Sequence, residues 1–183
     1  MGKFNFIKTS IDGVVIIEPT AYGDSRGYFM ETYQKEDFYN GGITVDFVQD
    51  NQSMSTKGVL RGLHFQKQYS QSKLVRCIKG EVFDVAVDLR EGSPTFGKWE
   101  GVILSEENKR QFFIPKHFAH GFLVLSDEAE FVYKVDDFYH PNDEGGLMWN
   151  DKDIGINWPI PEGVEIKLSD KDKVQQSFSE YKK

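Results

Sequence analysis

The sequence predicts an all-β fold, a sandwich or barrel in which helix is confined to short peripheral pieces. Three observations predict it. Short β-forming runs recur along the chain, each bounded by glycine, proline, asparagine or aspartate. The run at residues 82–89 alternates with a period of two. Helical periodicity is scarce.

In order, the candidate strands are residues 14–18 (VVIIE), 28–33 (YFMETY), 45–51 (VDFVQDN), 59–65 (VLRGLHF) and 74–78 (LVRCI), then 81–89 (EVFDVAVDL), 99–104 (WEGVIL), 111–114 (QFFI), 120–125 (HGFLVL) and 130–136 (EFVYKVD). In the run 82–89, Phe83, Val85, Val87 and Leu89 make one apolar face that belongs to a core. Val82, Asp84, Ala86 and Asp88 make a mixed face, suited to solvent or to the floor of a pocket. Residues 35–39, just before Gly41 and Gly42, suit one or two helical turns, and the polar last ten residues, with Phe178 and Tyr181, suit a terminal helix. Residues 150–172 are irregular and proline-bearing, as expected of a segment that wraps over a sheet and returns polar groups to a site.

With 183 residues, 39% apolar and 14% aromatic, the chain can build a real core, and no linker, repeat or break in composition divides it, so one domain over residues 1–183 is expected. A single cysteine, Cys77, rules out an intrachain disulfide framework and fits a reducing cytoplasm. The opening MGKFNFIK lacks the apolar stretch of a signal peptide, and no segment approaches membrane-spanning length. Without a secretory route, the glycosylation pattern at Asn51-Gln52-Ser53 carries no weight. A net charge of −7 opposes non-specific binding to nucleic acid. It leaves room for a pocket in which a few arginines and lysines hold a pyrophosphate.

Polar residues inside apolar runs mark the candidate site. Gln49-Asp50-Asn51 is followed by GVLRGLHFQ at residues 58–66, which sets an arginine, a glycine and a histidine in a strongly β-forming stretch. Alone, His64 reads as a buried imidazole satisfied by one hydrogen bond. Strict alternation puts Leu60, Gly62, His64 and Gln66 on one face and Arg61 on the other, so Arg61 and His64 share a pocket only if the strand is irregular, and Gly62 can host a bulge. His120 lies in an apolar run and suits a pocket better than His117 on the turn before it. Tyr133 shares a face with Phe131 and Val135, the ordinary position of a core aromatic.

Together these pieces resemble a known family. GDSRGYF at 23–29 with Glu31, QDN at 49–51, VLRGLHFQ at 59–66, KLVRC at 73–77 and GEVFDVAVDLR at 80–90 are followed by SPTFGKW at 93–99, AHGF at 119–122 and Tyr133-Lys134. Asn150-Asp151, Trp158-Pro159 and LSDKD at 168–172 complete the set, and the whole strongly resembles the dTDP-4-dehydrorhamnose 3,5-epimerases over roughly residues 5–172. The resemblance implies a cupin-type jelly roll that forms a homodimer with an exchanged amino-terminal strand, and an isomerase that needs no cofactor and no metal. Its ligand would be a dTDP-linked 4-keto-6-deoxyhexose. By position, His64 becomes the general base, Asp172 its orienting carboxylate and Tyr133 the general acid, while Lys73 and His120 surround the keto oxygen. Arg26, Glu31, Gln49, Asp50, Asn51, Arg61, Glu144 and Lys171 are implied to bind the nucleotide sugar, some of them across the dimer. One departure is visible: the family often carries glycine before the aromatic where this chain has Lys116-His117-Phe118.

These residue types suit the implied chemistry. Hydrogens next to a ketone are acidic because the anion spreads onto the carbonyl oxygen, so one base near neutrality and one cation at that oxygen suffice to remove them. Inversion needs a second acid on the opposite face, a role open to a tyrosine hydroxyl. Two readings compete from other classes. A metal-dependent cupin would need a cluster of histidine ligands that His64, His117, His120 and His140 do not readily supply. A binding module without turnover is disfavoured because His64, Asp172, Tyr133 and Lys73 are all present. Within the class, an epimerase acting at carbon 3 or carbon 5 alone is the alternative.

Overall fold

The computed structural model describes residues 3–183; Met1 and Gly2, part of the amino-terminal segment read above, lie outside the described residues. In chain order the elements are β1 (Phe4–Lys8), β2 (Val15–Pro19), β3 (Tyr22–Asp24), β4 (Gly27–Phe29), α1 (Lys35–Asn40), β5 (Gln49–Thr56), β6 (Leu60–Gln66) and β7 (Lys73–Lys79). They continue with β8 (Glu81–Asp88), β9 (Trp99–Ser105), β10 (Gln111–Ile114), β11 (Phe118–Val124), β12 (Glu128–Val135), β13 (Glu144–Gly146) and α2 (Phe178–Tyr181). Two sheets, ordered β1-β2-β10-β7-β12-β5 and β13-β6-β11-β8-β9, face each other, and β3 and β4 form a separate hairpin. From β5 onward nearly every connection crosses from one sheet to the other, which makes the sandwich a jelly roll.

Three apolar clusters hold the layers. Between the sheets, Val75, Val82, Ala86, Phe112, Phe122 and Phe131 form the central core. Outside the five-stranded sheet, Leu63, Val85 and Val87 pack under Leu147, Ile154 and Phe178. Outside the six-stranded sheet, Ile17, Leu74 and Phe113 pack against Phe38 of α1 and Ile43. Both faces of β8 are therefore covered. Its mixed face is the inner one, where Asp84 is fully buried, and its apolar face is roofed by the carboxy-terminal segment.

Residues 150–172 do wrap the five-stranded sheet. Trp158 meets Phe83 edge-on at 5.9 Å, Lys167 bridges to Val59, and the 3-10 turn Asp172–Val174 follows. Three expectations shift. The run at 28–33 is not one strand: only β4 lies in it, paired with β3 across a turn containing Arg26. The strand expected at 45–51 is β5, displaced toward the carboxy terminus into QDNQSMST. That segment lacks apolar alternation because its inward side chains Asn51 and Ser53 line a cavity instead of a core. The terminal helix is only one turn, fixed by a capping box between Ser177 and Glu180. β1 and β13 lie outside the expected runs; β13 is a three-residue Glu-Gly-Gly strand with no apolar pattern to announce it.

Candidate active site

The site begins with an irregularity in β6. His64 pairs with His120 of β11, but Arg61, three residues earlier, pairs with Phe122, only two residues further along β11. The extra residue on β6 makes a bulge, and Gly62 there has φ +117. A side chain at Gly62 would place its Cβ 2.6 Å from both Gly121 Cα and His120 O, so the close approach of β6 and β11 requires glycine. The bulge turns Arg61 toward the side of the strand that carries His64, and both residues line one cavity of about 320 Å³.

That cavity lies between the sheets. The five-stranded sheet contributes Arg61, His64, His120 and Glu144, and the six-stranded sheet contributes Asn51, Lys73 and Tyr133. His64 Nε2 lies 2.5 Å from Asp172 Oδ1. Asp172 is 3% exposed, and its other oxygen accepts a 2.8 Å bond from Ser169 Oγ, which also accepts the Asp172 backbone N–H. Burial pushes the Asp172 carboxyl up, but the bond and charge of His64 and the Ser169 hydroxyl outweigh it and hold it below its usual value.

The opposing His120 has a carboxylate of its own. Its Nε2 lies 2.9 and 3.0 Å from the two oxygens of Asp84. Burial lowers the His120 pKa despite Asp84, helped by the positive charges of Lys73 and His64. Lys73 is lowered to about 8, because loss of hydration outweighs the favourable charges of Asp84 and Glu144. Burial raises the Tyr133 hydroxyl, opposed by nearby Arg61, so the tyrosine holds its proton at neutral pH. At the rim, Glu144 accepts a 3.1 Å bond from Tyr139 Oη and is ion-paired with Lys171.

Not every expected residue reaches the cavity. Asn51 lines it, while Gln49 bonds Asn51 at 2.8 Å. Asp50 points to the outer face of the six-stranded sheet, where it pairs with Lys134 at 2.9 Å. Arg26 sits on the exposed β3–β4 turn, bound to Asp24, and Glu31 pairs with Lys3. His117 and His140 lie outside the cavity; His140 stacks on Tyr69 at 3.9 Å. His117 has φ +65, the left-handed conformation for which glycine is the natural residue, and its N–H donates to Ser70 Oγ at 2.6 Å. Among the described residues, no three histidine, cysteine, aspartate or glutamate side chains are placed to hold a metal ion.

Sequence reasoning passed over Asp84 and Ser169. Asp84 did carry a signal, as a charged residue in the middle of the mixed face of an alternating strand. Ser169 stands three residues before Asp172, a spacing at which a serine hydroxyl can accept a nearby backbone N–H, as it does here.

A histidine–carboxylate pair on one wall, with a tyrosine hydroxyl and a lysine on the facing wall, define an isomerase of the proton-transfer type, built into a jelly roll. Comparison with known proteins narrows the class. The family model described as dTDP-4-dehydrorhamnose 3,5-epimerase matches residues 8–180, and the chain belongs to that family. The dTDP-4-dehydrorhamnose 3,5-epimerase of Shigella flexneri is 60% identical over 176 residues, covering 95% of this chain and 96% of the relative. That of Methanothermobacter thermautotrophicus is 58% identical over 173 residues, covering 94% of each chain. The dTDP-6-deoxy-D-glucose-3,5-epimerase of Legionella pneumophila, solved in complex with dTDP-4-keto-L-rhamnose, superposes with a TM-score of 0.93 at 55% identity, covering 96% of this chain and 93% of that one.

Proposed function

We propose that this chain converts dTDP-4-dehydro-6-deoxy-D-glucose to dTDP-4-dehydro-L-rhamnose by inverting carbons 3 and 5, a step in making dTDP-L-rhamnose. The observation that carries the reading is the placement of His64 and Tyr133 on opposite sheets across one cavity. A proton can leave toward one wall and return from the other, as inversion requires.

In this reading His64 takes the proton next to the C4 ketone, and Asp172 fixes its tautomer and stabilises the imidazolium that forms. Lys73 donates to the oxygen on which negative charge develops, and His120 lies beside it in the same cavity. Tyr133, which keeps its proton, returns one on the far face. Arg61, Asn51, Glu144 and Lys171 hold the nucleotide sugar at the mouth, with Gln49 setting Asn51. The chain works as one domain and as a homodimer. β1 is already paired with β2 of its own chain, so the exchanged element in this reading is the β3–β4 hairpin. Its exposed Tyr28 and Phe29 support a buried position in a dimer, and it would carry Arg26 toward a shared site. The cytoplasm is the expected compartment, and no helix among the described residues is long and apolar enough to cross a membrane.

The test is to incubate the chelator-treated protein with the keto sugar nucleotide in heavy water and count deuterium at carbons 3 and 5. Incorporation at both carbons supports the proposal, and incorporation at one converts it to a single-site epimerase. Binding without any exchange overturns it. Asp172→Asn should keep KM and lower kcat by roughly 10²- to 10⁴-fold, because the geometry survives while the imidazolium loses its counter-charge.

A further inference from the structure

The cavity holds two histidine–carboxylate pairs, and the proposed reaction uses only one of the carboxylates. His64 and His120 are directly opposed across β6 and β11, each bound through Nε2 to a carboxylate at its far side. Asp84 lies on β8 opposite Phe122, one diagonal step from His120, so both side chains project from the same face of the sheet. Asp84 is fully buried, and both its oxygens lie within 3.0 Å of the same ring nitrogen. Among the described residues no protein group bonds His120 Nδ1, and no buried polar side-chain atom is left without a partner, so Nδ1 opens toward the cavity that His120 lines.

The surroundings of Asp84 come from every neighbouring element. β11 brings His120 and β7 brings Lys73 and Cys77, whose thiol burial pushes up to about 12. β9 places Val102 beside it, and β12 brings Phe131 and Tyr133 to the cavity that His120 lines. Glu144 on β13 and His64 and Arg61 on β6 complete the charged groups of the cavity. Of the two carboxylates that favour the charged form of Lys73, Glu144 is already engaged by Lys171 and Tyr139.

We infer that Asp84 is a positioning residue for the carbonyl-oxygen site: it anchors His120 through Nε2, presents Nδ1 to the sugar and supplies the counter-charge that keeps Lys73 an ammonium. The inference rests on the reaction proposed above. A carboxylate that accepts from Nε2–H forces neutral His120 to offer Nδ1 as an acceptor, so the hydrogen bond to the developing oxyanion falls to Lys73. His120 then receives a neighbouring sugar hydroxyl and fixes how the ring sits. Deprived of Asp84, Lys73 would face the same loss of hydration with less compensation and lose its proton at lower pH.

The experiment is a pH–rate profile of Asp84→Asn, whose amide oxygen can still accept from His120. We expect kcat to fall about 100-fold with KM within about threefold, and the alkaline limb to move down by about one pH unit. An unmoved limb with kcat near that of the parent protein would overturn the inference, because a merely structural carboxylate would leave the titration of Lys73 alone. If the variant does not fold, ring-nitrogen NMR of the parent protein decides, with His120 assigned by its loss in His120→Gln. A proton on Nε2 and none on Nδ1 supports the inference, and the reverse tautomer overturns it. Heavy-water exchange by the parent protein keeps the two failures apart: no exchange removes the reaction, whereas normal exchange with an unmoved limb removes only the role of Asp84.

Discussion

Gly62→Ala tests whether the bulge builds the site. The residue has φ +117, a region costly to a side chain by about 1–3 kcal/mol. The new Cβ would also lie 2.6 Å from two backbone atoms of β11, which cannot swing aside as a flexible side chain can. Overpacking of this kind adds about 1–3 kcal/mol, so the total is about 4 kcal/mol. Gly92→Ala isolates the first contribution, since Gly92 has φ +78 and no neighbour within 4 Å of a built Cβ among the described residues; its cost should be about 1 kcal/mol. With a urea slope of about 2 kcal/mol per M, the midpoint should drop by about 2 M for Gly62→Ala and about 0.5 M for Gly92→Ala. Both are measured at one protein concentration, because an associating chain gains stability with concentration. Gly62→Ala that still folds should lose catalysis more than binding, as Arg61 and His64 are turned apart. Equal midpoints for the two variants, with activity kept, would refute the argument that glycine at 62 makes the shared cavity.

Four further outcomes are expected. Activity should fall above a pH of about 8 as Lys73 loses its proton, and Lys73→Arg should remove that limb whatever it does to the rate, since a guanidinium stays charged. Lys73→Met should abolish exchange yet raise stability at pH 7 by about 2 kcal/mol, a figure reduced because the side chain still meets the cavity; the folded pKa lies below the unfolded one, so the parent protein gains stability as pH rises from about 8 toward 10.5. Asp88 is fully buried, and although burial pushes its carboxyl up, bonds from Arg90, Thr95 and Ser93 hold it far below the usual range; its contribution is present above a pH of about 4 and lost as pH falls, so Asp88→Asn should cost about 3 kcal/mol at neutral pH and flatten the acid limb of the urea midpoint. His117→Gly should raise Tm by about 2 °C, because glycine carries no penalty at φ +65, and a lowered Tm would show that the imidazole packs usefully there.

The sequence makes the strands with a core-facing pattern easy to place, and it fails where inward residues line the cavity. The run at 111–114 matches β10, which packs Phe112 and Ile114 between the sheets, and 81–89 holds β8, whose alternating apolar face packs under the carboxy-terminal segment. β5 is shifted because Asn51 and Ser53 point inward as polar groups, where the period-two rule expects apolar ones. His64, Tyr133, Lys73 and Asp172 were legible because several motifs occur in one order along the chain. What binds them into one site was not. The Arg61–His64 register depends on an extra residue in β6, and the His120–Asp84 pair depends on which strand lies beside β11, neither of which is a local property.

The position of the cavity inside the sandwich accounts for the cost of its charges and for how the fold bears it. Along the inner face of β8, Val82 and Ala86 belong to the apolar core while Asp84 between them belongs to the site, so core and cavity share one surface. Burying Lys73 and His120 there disfavours their charged forms, as the lowered pKa of each records. The compensation is partly local, through Asp84 and Glu144, and partly remote, through the two apolar clusters that cover the outer faces of both sheets. Those covers let the walls remain rigid although the space between them is only partly filled with apolar side chains. Rigidity is what the chemistry needs, since a base and an acid on opposite sheets can exchange protons with one bound sugar only if the spacing of the sheets does not drift. Substitutions that loosen a cover, such as Phe178→Ala in α2 over the five-stranded sheet, should therefore lower kcat without touching any group in the cavity, and do so more than an equally destabilising change on the exposed β3–β4 hairpin of a dimer-free preparation.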